Sequence, residues 1–179
     1  MAQFNEAKMP NFFKVIDEMS KRYIELMQSD YRMKRKVGKN FTNAVATGEL
    51  VKALRYRTLI KGDNISISVY AKGKPKDYFL SRELGRKGGG VPVSAIRRWI
   101  DEKKIKLRDK KSGSFVKSTD KLKDQVAFLI ARKIAKQGYK GWNASDYANE
   151  NIIDEYSKKI EEAYAKDVAF NLENAFNKI

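Results

Sequence analysis

Apolar side chains recur every three to four positions through the last part of the chain, at Ile152/Ile153, Tyr156, Ile160, Ala163/Tyr164, Val168, Leu172, Ala175/Phe176 and Ile179. That spacing puts them along one helix, with Ser145 or Asp146 placed to cap it. The run is longer than a small domain needs, so it reads as an arm that lies on a neighbouring copy or folds back on its own domain. A second such run opens the chain. From Asn11 to about Met33, the residues Phe12, Ile16, Met19, Tyr23 and Leu26/Met27 share a face, and Pro10 suits the first turn.

Between these helices the period changes. Tyr56, Thr58 and Ile60 alternate with polar or outward positions, as do Ile65, Ile67, Val69 and Ala71, and Gly62-Asp63-Asn64 separates the two runs. Alternation around a tight-turn sequence predicts an antiparallel hairpin, which needs helices behind its Ile/Val face because a lone hairpin is unstable in water. Thr47 is placed as the N-cap of a short helical piece from Leu50 to Leu54. Another short helical piece runs from Asp77 to Leu84.

After the glycine-rich break Arg86 to Gly90, Pro92 opens a helix whose buried stripe is predicted as Val93, Ile96, Trp99 and Ile100. Lys106 to Ser118 reads as a mobile loop. A helix from Thr119 to Gln137 follows, with Val126, Ile130 and Ile134 on one face beside Ala127, Ala131 and Ala135. It is the predicted core spine and ends at Gly138. The expected class is α+β: a small antiparallel sheet that includes a hairpin at about 55–71, packed on helices, with a long C-terminal helix.

Charge divides the chain. There are 38 Lys+Arg and 22 Asp+Glu, a net charge of +16. From Asp146 onward, 4 basic residues face 8 acidic ones, which leaves 34 basic against 14 acidic in residues 1–145. A basic domain at 1–145 and an acidic helical arm at 146–179 follow, a polarity that suits subunits stacked arm to face. The basic surplus favours polyanions, or is a solvated surface. The absence of Cys and His removes disulfides, thiol nucleophiles, Cys/His zinc sites and imidazole acid–base chemistry. No apolar run approaches the roughly 18 residues of a spanning helix, and the first residues lack the basic-then-apolar order of a secretion signal. The reading is a soluble protein made in the cytoplasm, with no membrane partner.

No constellation for catalysis stands out. Gly85 to Gly90 lacks the order of a phosphate-binding loop and reads as a flexible connection, with Arg86 to Gly90 a hinge or contact loop. Asp101/Glu102 and Glu161/Glu162 are adjacent on helices and point apart. Glu83 is read as a salt-bridge partner of Arg82 or Arg86. Trp99 is assigned to the core and Trp142 to an exposed contact. No enzymatic activity, cofactor or metal is expected.

Several segments in fixed order carry a resemblance. They are Ala46-Thr47-Gly48-Glu49-Leu50, the hairpin, Tyr78 to Gly85 with Glu83, Pro92 to Trp99-Ile100, and Ala127 to Ala135 with Ala131 and Ile134. Over residues 40–141 the chain resembles the tail-completion, or head-tail joining, family of long-tailed bacteriophages. The resemblance implies a structural virion protein of the neck or tail, a homo-oligomeric ring between the portal-side connector and the tail-tube or tail-terminator proteins. It departs from that family in its Lys106 to Ser118 insert and in the long helix after Gly141.

Assembly contacts are expected at Arg86, Lys87, Trp142, Tyr156, Tyr164 and Phe176. Contacts to packaged DNA or to an acidic neighbour are expected at Arg32, Lys34, Arg35, Lys36, Lys74, Lys76, Lys106, Arg108, Lys110, Lys111 and Lys117. The alternative is a basic nucleic-acid-binding protein without enzymatic activity.

Overall fold

The computed structural model describes residues 6–37, 40–42, 44, 48–61, 64–109 and 112–177. Its elements in chain order are α1 (Pro10–Arg32), β1 (Arg35–Val37), β2 (Asn40–Thr42), α2 (Glu49–Ala53), β3 (Leu54–Lys61), β4 (Asn64–Ala71), α3 (Lys76–Leu84), β5 (Gly85–Arg86), α4 (Val93–Glu102), α5 (Asp120–Gln137), β6 (Tyr139–Lys140) and α6 (Ala144–Phe176). The α+β class holds: helices pack around a two-stranded antiparallel hairpin, and the last helix is the longest among the described residues.

The long helices α1 and α6 form the backbone of the core, side by side and antiparallel. Tyr23 near the C-terminal half of α1 donates its hydroxyl to the Ser145 carbonyl (3.3 Å) and to Asn149 (3.0 Å) at the start of α6. At the other end, Asp167 of α6 accepts hydrogen bonds from the Phe12 N–H (2.7 Å) and the Asn11 side chain (2.7 Å). Ala144, Ala148 and Ala163 are buried along α6, so the helix axes approach closely, and Ile152 and Tyr156 fill the remaining space against Ile24, Met27 and Tyr31. The arm therefore lies on its own α1.

The hairpin pairs Tyr56 with Val69 and Thr58 with Ile67. Alternation turns this face toward α1, where Ile65 and Ile67 pack on Phe12, Phe13 and Ile16. Tyr56 donates to Asp17 at 2.6 Å. The turn residues Gly62 and Asp63, and Thr47, lie outside the described residues. The N-cap position of α2 belongs to Gly48, whose left-handed φ of 83° suits glycine, and not to Thr47.

A second helical pair stands apart. α5 packs against α4, with Ala127 and Ala131 buried and Ile100 of α4 filling the seam. Arg97 of α4 ties the pair together through Asp101, Asp120 (2.7 Å) and Asp124 (2.9 Å). α5 is thus not the core spine: its alanine face meets one helix, while Phe128 and Leu129 point to solvent at 55% and 60% exposure.

Backbone crosses backbone where this pair joins the rest. β5 and β6 pair antiparallel, Gly85 with Lys140 and Arg86 with Tyr139, and Trp142 and Asn143 donate their N–H groups to the carbonyls of Arg82 (2.9 Å) and Glu83 (3.0 Å). A Cβ at Gly138 would overlap the Arg86 carbonyl, and one at Gly141 the Glu83 carbonyl. The glycines on both sides of the crossing are required by close approach, and Gly85 is a fixed junction instead of part of a flexible connection.

Candidate assembly surface

Behind the junction lies a buried polar cluster that holds the core's lower end. Glu83 is buried and accepts from the Tyr31 hydroxyl and from the Ser145 N–H (2.6 Å), one of the free donors at the start of α6. This is a helix-end role, in place of the expected salt bridge to Arg82 or Arg86. Burial and the Glu83 hydrogen bond push the Tyr31 phenol far above its ordinary range. Trp142, expected at the surface, is buried as well. Its Nε1–H donates to Asp30 Oδ2 at 2.9 Å, and the guanidinium groups of Arg35 and Arg82 stack over its ring at 4.8 and 5.7 Å. Arg35 also pairs with Asp30 and donates to the Trp142 carbonyl at 2.8 Å, so this residue, expected to contact DNA or an acidic neighbour, is spent on structure. Arg82 is partly desolvated, which lowers its pKa.

In front of this cluster opens a groove of about 840 Å³ between α2, α3 and α4. Tyr78 and Arg82 come from α3, Leu50 and Glu49 from α2, and Trp99, Arg98 and Glu102 from α4. Trp99 is 39% exposed and belongs to this groove, not to the core. The reason is the packing of its helix: Ile100 is the one residue of α4 that is fully buried, and Trp99 and Val93 are left exposed. Burial and the carboxylates Glu49 and Glu102 raise the Tyr78 phenol above its usual range. Four of the motif positions, Gly48, Leu50, Tyr78 and Trp99, thereby meet on one surface. Away from the groove lining, α3 exposes Leu80 and Leu84, and α5 exposes Phe128 and Leu129. Aromatic rings with aliphatic neighbours and charges of both signs are the composition of a protein interface.

The other motif positions are structural. Gly85 lies at the crossing, Pro92 precedes α4, Ala131 is buried against α4 and Ile134 is half-buried. Among the assembly candidates, Tyr156 is buried against α1 and withdrawn from contact. Tyr164 is exposed with its ring edge-on to Phe12 at 6.0 Å, and Phe176 is exposed near the end of α6. Arg86 and Lys87 are exposed beside the junction. Of the basic candidates, Arg32 is exposed at the end of α1, Lys34 and Lys36 just beyond it, and Lys74 and Lys76 stand at the start of α3. Lys106 and Arg108 stand over the Phe115 ring, and Lys117 is exposed two residues beyond it; Lys110 and Lys111 lie outside the described residues.

Sequence reasoning missed Asp30, Asp167 and the Tyr31–Glu83 pair. Asp167 carried a signal: it follows Ile152, Tyr156, Ile160 and Ala163 at helical spacing, so a carboxylate stood on the buried stripe and needed donors. Among the described residues no cluster of carboxylates could hold a metal ion, and no helix is long and apolar enough to cross a membrane. No family model, curated protein or solved structure matches this chain.

Proposed function

We propose that the chain is a structural subunit of the neck of a long-tailed bacteriophage, a ring-forming tail-completion protein that joins the portal-side connector to the tail. One observation carries the reading. A well-packed α1–α6 core coexists with large apolar side chains left exposed on α3, α4 and α5, namely Leu80, Leu84, Trp99, Phe128 and Leu129. Large apolar side chains left on a folded surface support contact with another protein.

The ordered motif segments suggest the family, and four of their positions, Gly48, Leu50, Tyr78 and Trp99, line the groove. In a closed ring each subunit presents two different faces to its two neighbours. The groove with its Tyr78 and Trp99 rings is one such face, and the exposed α5 side chains are the other.

Two experiments test this reading. Light scattering and electron microscopy of the protein, alone and mixed with connector and tail-tube proteins encoded beside it, are expected to show rings or a stable joint complex. In a phage with this gene deleted, filled heads and finished tails are expected to accumulate unjoined. A protein that stays monomeric with every such partner, together with normal virions from the deletion, overturns the proposal.

A further inference from the structure

Residues 103–118 carry seven Lys or Arg and one Asp, and the structure shows how two of the cations, Lys106 and Arg108, are held. Arg108 bridges Phe115 antiparallel. The flanking hydrogen bonds run from the Val116 N–H to the Leu107 carbonyl (3.1 Å) and from the Asp109 N–H to the Ser114 carbonyl (2.9 Å). Residues 107–109 and 114–116 thus form the hydrogen-bonded sides of a short arch within the stretch expected to be a mobile loop.

Leu107 is buried, at 5% exposure, and anchors one strand of the arch to the body. Side chains alternate along extended chain, so Lys106 and Arg108 leave from the side opposite Leu107. Continuing the register by one step sets Lys106 against Lys117. Like charges directly across a strand pair oppose folding, and among the described residues none of Lys106, Arg108 and Lys117 has an ion-pair partner to offset this.

Phe115 explains how the arch presents its charge. The ring is 59% exposed, with the Arg108 guanidinium 4.1 Å from its centroid and the Lys106 ammonium at 5.9 Å. Arg108 also donates to the Gly113 carbonyl at 3.2 Å. The guanidinium is thus held over the ring with donors still directed outward, and the ring face it covers is closed to base stacking. Such a fixed fork, with lysines beside it, fits phosphate oxygens.

We propose that this arch is a contact for the phosphate backbone of double-stranded DNA, independent of base sequence. The proposal does not rest on the neck reading, and either can fail alone. An acidic protein is the other class of partner for such a patch. The phosphate backbone is favoured because its charges repeat at short, regular spacing on both strands, matching cations on both strands of the arch.

The test is fluorescence anisotropy of a short labelled duplex of mixed sequence, titrated with the full chain over roughly 50–200 mM salt. The variant Lys106→Ala/Arg108→Ala/Lys117→Ala is compared with Lys14→Ala/Lys52→Ala/Lys133→Ala, which removes three exposed cations elsewhere and keeps the net charge equal. The arch variant is expected to weaken binding about tenfold or more at the low-salt end and to reduce the salt slope by about 2–3, at about 0.9 per lost phosphate contact. The control is expected to change either value far less.

Phe115→Ala is expected to weaken binding about threefold with an unchanged slope, because it releases Arg108 without removing charge. Circular dichroism and the melting temperature of each variant check that the fold persists. Equal losses from the arch and control variants would show a diffuse charge effect and overturn the proposal. So would tighter binding to a glutamate-rich peptide than to the duplex, or a preference for single strands that disappears in Phe115→Ala.

Discussion

The α1–α6 pair and the α4–α5 pair are both antiparallel helix pairs seamed by alanine, yet they differ in how much apolar side chain joins the alanines in the seam. In the first, Met27, Ile152 and Tyr156 join the alanines in the interior, and both ends are closed by buried carboxylates, Glu83 at the start of α6 and Asp167 at the start of α1. In the second, Ile100 and two alanines are the buried contribution of the helices themselves, ion pairs around Arg97 replace apolar packing, and Phe128 and Leu129 face solvent. The first pair carries the larger buried core, although α6 also exposes Ile153, Phe170, Leu172 and Phe176. The two pairs are joined at a backbone crossing, and on the proposed reading the α4–α5 pair contributes to assembly.

Substitutions that separate these roles give the sharpest checks. Met27→Ala leaves a cavity at a 1%-exposed site between α1 and α6 and is expected to cost about 3 kcal/mol. In urea unfolding it lowers the midpoint of the whole transition; a loss below about 1 kcal/mol would mean that the α1–α6 seam is not the stabilising core.

Gly138→Ala comes next. It adds a Cβ at a left-handed φ of 70° and against the Arg86 carbonyl, with an expected cost of about 2 kcal/mol. Hydrogen exchange is expected to quicken first in α4, α5 and β6, with α1 and α6 still protected. Uniform quickening would show that the two pairs unfold as one unit.

Phe128→Ser/Leu129→Ser has the smallest effect on folding, within about 0.5 kcal/mol, since both side chains are exposed. Ring or complex formation is nevertheless expected to be lost in the same sample. Unchanged assembly would take α5 out of the interface and leave the groove face to carry it.

Much of the architecture was legible in the chain because it follows from local pattern. Helical spacing located α1 and α6, alternation around a turn sequence located β3 and β4, and Thr119 with Gly138 bounded α5, where Thr119 accepts from the Leu122 N–H at 3.3 Å. The errors share a cause. Trp99 and Trp142 were assigned in the reverse of their places because periodicity shows which residues share a face but not whether anything covers that face. α4 has an apolar stripe and too little partner to bury it. Trp142 follows a glycine in what looks like a loop, yet the crossing carries that loop under Arg35 and Arg82.

By itself, then, the sequence determined the elements, their order, the sign of each region's charge and the absence of thiol and imidazole chemistry, since these are local or compositional properties. Tertiary structure decided that the acidic helix lies on its own α1, that Glu83 and Asp167 close helix ends, that Gly48, Leu50, Tyr78 and Trp99 line one groove, and that Lys106 and Arg108 stand over the Phe115 ring. Each of these depends on residues distant in the chain or on the register of a pairing, and neither distance nor register is written in the period of the residues.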